Sequence, residues 1–251
     1  MVYGASEIKT MIKTIIKKRI KYSLLGSAVC AALFFIAPVY ADITRVYQPY
    51  VEQGERELEY GATLRDLGGE DILLNRVGVG YAWSDKIFTE VYLLSESIGH
   101  DGEEIRGYEA ELKWQITEQG EYWADWGLLV EAGGARDIDR RELAVGLLWA
   151  KELGSRWVAT ANAIVEYEYG ADIEEEVETA LRAQFRYRYS AALEPALEIY
   201  LDDQDWAAGP ALMGIQKLGG RKQLRWELGL MFGLDAETPD TSLRFGLEFE
   251  F

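Results

Sequence analysis

The chain closes on Thr241 to Phe251, where Leu243, Phe245, Leu247, Phe249 and Phe251 alternate with Arg244, Gly246, Glu248 and Glu250. Alternation with a period of two describes a strand with one apolar face. That face has no later residue to cover it, so it must meet a core, a partner or lipid.

The same alternation recurs roughly every 15 to 20 residues from residue 55 onward, and twelve strands are predicted. Typical apolar sets are Val77-Val79-Tyr81-Trp83, Leu143-Val145-Leu147-Trp149 and Leu224-Trp226-Leu228-Leu230-Phe232, with shorter ones at Leu197-Ile199-Leu201 and Ala211-Met213-Ile215. Pro195 and Pro210 make the ninth and tenth strands the weakest, because proline removes a ladder donor.

The intervening positions are charged. Arg76, Glu90, Glu109, Glu111, Asp125, Glu131, Glu166, Arg182, Arg186, Arg188, Glu198, Arg225, Glu227 and Arg244 are the candidate lumen-lining residues. A soluble barrel turns its apolar face inward and a membrane barrel turns it outward, so alternation alone does not choose between them. The tryptophans do. Trp83, Trp114, Trp123, Trp149, Trp157 and Trp226, six of the eight in the chain, flank the turns expected at one end. An aromatic girdle at a membrane interface has this form. Both ends of the barrel segment fall on that rim, as an even strand count requires, and closure removes the edges that lipid cannot satisfy.

At the other terminus, Lys9, Lys13, Lys17, Lys18, Arg19 and Lys21 precede an uncharged run from Ser23 to Ile36, and Val39-Tyr40-Ala41 then forms a small-x-small pattern. The run is shorter than the roughly 20 apolar residues of a membrane helix, so residues 1–41 read as a cleaved signal peptide, with Met1 or Met11 as the start. Removing them leaves 20 Lys+Arg against 42 Asp+Glu. That acidity argues against nucleic acid as a partner. The one cysteine, Cys30, leaves with the signal, and the one histidine, His100, argues against histidine metal sites and imidazole triads. No cofactor is expected, and the chain is not expected to be an enzyme.

Signal peptide, alternating strands, short turns on one side and a terminal L-x-F-x-L-x-F-x-F together resemble a Gram-negative outer-membrane β-barrel over residues 55–251. The resemblance implies an all-β, closed antiparallel transmembrane β-barrel in the outer membrane. It implies partners in outer-membrane lipid, lipopolysaccharide and, during biogenesis, the barrel-assembly machinery, with Phe245, Phe249 and Phe251 as the assembly signal. More narrowly, Pro49-Tyr50-Val51-Glu52, Gly120-Glu121-Tyr122-Trp123, Asp125, Gly127-Leu128-Leu129 and Gly233-Leu234 are similar to a group of small proteobacterial barrels, a likeness that brings no activity with it. The chain's size resembles the small sugar-acid porins, but its surplus of glutamate departs from their arginine-lined pores and shifts the expectation toward cationic or neutral solutes. The outer-membrane phospholipase pattern fails, since His100 sits in a loop with no lipid-facing serine beside it.

The loops at the far end, such as Gly134 to Arg141 and Gly170 to Glu176, are short and acidic, and read as solvated tips rather than calcium sites because they lack ordered ligand spacing. Inside, basic residues on the eighth, eleventh, twelfth, first and second strands are expected to face an acidic wall on the third to fifth and seventh; the alternative is ion pairing across a filled lumen. Residues 42–54 read as an extended lead-in to the first strand, with a small plug at the barrel mouth as the alternative. The expected function is a narrow, porin-like channel for small polar or ionic solutes; the alternative is a non-conducting structural or interaction barrel.

Overall fold

The computed structural model describes residues 45–66, 71–203, 206–236 and 238–251. The expected signal peptide lies outside these residues. Twelve strands follow one another: β1 Arg56–Asp66, β2 Asp71–Ala82, β3 Ile87–Ile98, β4 Glu104–Gln115, β5 Asp125–Ala135, β6 Arg141–Leu153, β7 Trp157–Tyr169, β8 Glu176–Tyr187, β9 Glu194–Asp202, β10 Trp206–Gly219, β11 Lys222–Gly233 and β12 Thr241–Glu250. Each pairs antiparallel with its sequence neighbours, and β12 returns to β1 through the pairs Leu58 with Phe249 and Leu64 with Leu243. The barrel is therefore closed, and every strand finds hydrogen-bond partners on both sides.

The apolar faces point outward. Val77 is 55% exposed and Leu197 63%, whereas Arg65, Glu90, Glu198 and Arg244 are buried inside. A soluble barrel has the reverse distribution, because apolar area left in water forgoes roughly 25 cal/mol per Å². Strands of this length match the 9–11 tilted residues that cross a bilayer, with a few to spare.

Both weak strands form. Pro210 is a register partner of Leu197 on β9, and the β10–β11 ladder breaks around it, between Ala208–Phe232 and Ala211–Gly229. The missing proline donor accounts for the gap. One expected face is reversed: Ala211 and Met213 are buried in the interior, while Leu212 points outward. Here both faces of β10 are small or apolar, so alternation carries no sign. The inward face is fixed by packing, since Ala211 and Met213 join Val46, Ala196, Tyr200, Ala207 and Met231 in one buried cluster.

Four of the six expected girdle tryptophans, Trp83, Trp114, Trp123 and Trp157, are well exposed at the short-turn rim, while Trp149 and Trp226 are partly covered. Trp126 belongs with them. It packs edge-on to Trp123 with ring centroids 6.2 Å apart, and Trp123 lies 6.3 Å from Trp149. Trp157 stacks on Phe185 at 4.7 Å. At the chain end Phe249 and Phe251 stack at 5.5 Å, and the Phe251 N–H donates to Arg56 O at 2.9 Å.

Candidate luminal site

Residues 45–51 do not lead into β1 from outside; they occupy the lumen. The correction has a physical source. Glu55 N–H donates to Glu52 O at 3.1 Å, and Gly54 takes φ +78, a left-handed conformation that glycine adopts without strain. This turn at the short-turn rim folds the preceding residues back into the barrel, where polar wall groups satisfy their backbone.

Asn162 of β7 brackets Tyr47, accepting from its N–H at 2.8 Å and donating to its carbonyl at 2.8 Å. The Tyr47 hydroxyl lies 2.7 Å from Glu111 Oε1 on β4 and 3.0 Å from Glu131 Oε1 on β5, and its ring packs on Leu129 and Leu148. Pro49 is fully buried against Gly127. A side chain at 127 would bring its Cβ within 2.9 Å of Pro49 Cβ, so glycine makes room for the segment there. Nearer the rim, the Tyr50 hydroxyl donates to Asp125 Oδ2 at 2.8 Å and Val51 N–H donates to Gln115 Oε1 at 2.7 Å. Asp125 also accepts from Gly120 N–H at 2.7 Å, tying the segment to the β4–β5 turn.

Arg45 reaches about the middle of the barrel. Its Nη1 donates to Glu59 Oε2 at 2.5 Å and to Glu248 Oε1 at 3.0 Å, and its Nη2 donates to the Tyr92 hydroxyl at 2.9 Å. Arg76 is bound to the other oxygen of Glu59 through Nε at 2.9 Å and Nη2 at 2.6 Å, and stacks over Tyr92 with 4.4 Å to the ring centroid. Glu90 and Glu111 complete the ring, each with Oε2 3.6 Å from Arg45 Nη2. Burial removes competing water but also desolvates the charges, so this network fixes where the segment sits more than it adds net stability.

A second buried group braces the β8–β12 side. Arg244 is 2% exposed and donates to Glu198 Oε2 at 2.8 Å and to the Tyr200 hydroxyl at 2.6 Å, with Glu227 at 3.7 Å. Gln184 Nε2 donates to Glu198 Oε1 at 2.8 Å.

The remaining candidates take varied places. Arg182 donates to the Arg45 carbonyl at 3.3 Å, Arg186 pairs with Glu194 at 3.2 Å, and Arg225 binds Glu250. Arg188 meets Glu152 at the rim at 2.8 Å. Glu109 sits beside Glu111 and Glu131, and Glu166 beside Glu142 and Glu168, the latter two bridged by Arg140. Opposed basic and acidic walls are thus not the arrangement; most luminal arginines take the nearest carboxylate. Glu57, Glu59 and Asn162 fall on the polar face that alternation turns inward; what sequence reasoning missed is Arg45, Tyr47 and Tyr92. Arg45 and Tyr47 lie outside any alternating segment, and the alternation that turns Asn162 inward carries no sign of its partner Tyr47. Between the segment and the wall remains a cavity of about 430 Å³ at the short-turn end, bordered by Arg45, Glu57, Glu90, Lys113, Arg186 and Glu248 among others.

Solved structures share this architecture. The KdgM porin in complex with disordered oligogalacturonate superposes with a TM-score of 0.54 at 8% identity, covering 78% of this chain and 99% of that one. The COG4313 outer membrane channel from Pseudomonas putida F1 gives 0.54 at 14%, covering 80% and 96%. The fold is that of an outer-membrane β-barrel. The NanC porin agrees, at 0.53 and 11%, covering 78% and 100%. No protein-family model matches the chain, and no curated protein matches it.

Proposed function

We propose that this barrel resides in the Gram-negative outer membrane and acts as a narrow channel for small polar or ionic solutes, with the inserted segment 45–51 setting its narrowest point. The observation that carries the reading is the charged cavity of about 430 Å³ left beside that segment, which is of a size for a small solute. The shared fold with porins and channels supports it. Around the constriction Glu57, Glu59, Glu90, Glu111 and Glu248 face Arg45 and Arg76, an acidic excess that favours cations over anions. No catalytic role is assigned.

Single-channel recording of the purified barrel in planar bilayers tests this. Steady conductance steps with cation preference are expected, and Glu57→Gln should weaken that preference. A correctly folded but silent barrel overturns the reading in favour of a structural or interaction role.

A further inference from the structure

The carboxylate ring of the lumen is occupied by part of the chain itself. Arg45 sits in it through a planar guanidinium, held by Glu59 and Glu248 at 2.5 and 3.0 Å, with its Cζ 4.8 Å from the Tyr47 ring centroid. Unlike a wall residue, Arg45 is carried on a non-strand segment that joins the barrel through the turn at Glu52 to Glu55.

The ring has more capacity than Arg45 uses. Glu90 is 1% exposed, and among the described residues neither of its oxygens accepts a well-formed hydrogen bond, its Oε2 lying 3.6 Å from Arg45 Nη2. The adjacent Tyr92 hydroxyl lies 3.1 Å from Glu59 Oε2. Glu57, also buried, lies with Glu59 and Glu248 so that one oxygen of each falls within 4.8 Å of the others. Glu57, Glu90 and Glu248 all border the cavity. Buried carboxylates short of donors are costly, and a cationic guest is one physical remedy beside protonation.

We propose that this ring is a binding site for a small organic cation bearing a guanidinium or amine, and that Arg45 is a tethered stand-in for that ligand. The proposal gives the channel reading above its solute class and rests on it for that role. The class follows from the occupant: Nη1 serves Glu59 and Glu248 while Nη2 serves Tyr92 and faces Glu90 and Glu111, and the cavity has room for an organic body that a bare metal ion leaves empty. Because ligand and Arg45 compete for the same oxygens, binding and release of the segment are coupled. A tethered competitor lowers apparent affinity by the fraction of time it holds the site.

Isothermal titration of methylguanidinium chloride into the detergent-purified barrel tests the proposal, with calcium chloride as the metal probe and heat-modifiable gel mobility as the check on folding. Arg45→Ala should bind methylguanidinium about tenfold more tightly than the native chain, since the competitor is gone. Adding Glu90→Gln to that variant should reverse most of the gain. A folded Arg45→Ala barrel that binds methylguanidinium no better than the native one overturns the proposal, as does binding of calcium alone. Bilayer recordings separate the two readings. Tighter binding in a barrel that passes no current sinks the channel and keeps the site; a conducting barrel whose Arg45→Ala variant ignores methylguanidinium sinks the site and keeps the channel.

Discussion

Asn162 and Tyr47, 115 residues apart, are joined by a two-way bond in which the side-chain amide of one satisfies both backbone groups of the other. Strand pairing cannot provide this contact, because residues 45–51 belong to no strand. It holds the luminal segment against β7.

Asn162→Leu should therefore free the segment without opening the wall. Leaving the buried Tyr47 backbone groups unpaired costs about 1–3 kcal/mol, while the β6–β7 and β7–β8 ladders use only the backbone of residue 162. The expected result is a larger single-channel conductance with native gel mobility retained. Conductance equal to that of the native barrel would show that the segment does not limit the path.

Arg244→Met should act on stability instead. It strands the buried Glu198 carboxylate, and breaking a buried pair from one side costs about 3–5 kcal/mol. The urea midpoint of refolding into liposomes should fall accordingly. The double variant Arg244→Met, Glu198→Met should recover much of the loss, and no recovery would place the cost in packing rather than charge.

Glu55, at the turn before β1, introduces a pH dependence. Burial pushes its carboxyl up to about 7, and the neighbouring Glu250 adds to the rise. The unfolded value is about 4.3, so the folded chain holds an extra proton between these limits. The stabilisation linked to that proton is complete below about pH 4 and is lost as pH rises through about 7. Unfolding midpoints measured across that range should decline less steeply for Glu55→Gln than for the native chain. An unchanged slope would rule Glu55 out as its source.

Phe251→Ala should lower the yield of folded barrel in the outer membrane more than the stability of what does fold. The side chain stacks on Phe249 at the rim and is 41% exposed, so its truncation removes little packing. Comparing membrane yield with the melting of the purified variant separates the two effects; an equal fall in both would assign Phe251 a purely structural role.

How far the sequence could be read depends on which physical rule governs each part. Period-two alternation with charged opposite positions determined twelve strands, and the tryptophans at one set of turns determined which face meets lipid. Both signals are local. They fail where the residues stop distinguishing the faces, as at Ala211 and Met213, whose inward orientation is set by packing with Val46 and Met231. The interior is a different matter. Lumen-facing residues could be named from alternation, but their partners could not, because Arg244 meets Glu198 across 46 residues and Arg45 meets Glu248 across 203.

By itself the sequence determined a barrel of about twelve strands and, β10 apart, its apolar outer surface, since each follows from side-chain chemistry repeated along a few residues. Only the tertiary structure decided that residues 45–51 turn inward and fill the lumen with Arg45 and Tyr47. That decision belongs to closure of the barrel, which brings Glu59, Glu90, Glu111, Asn162 and Glu248 from five different strands around one short segment. No window of the sequence contains such a contact.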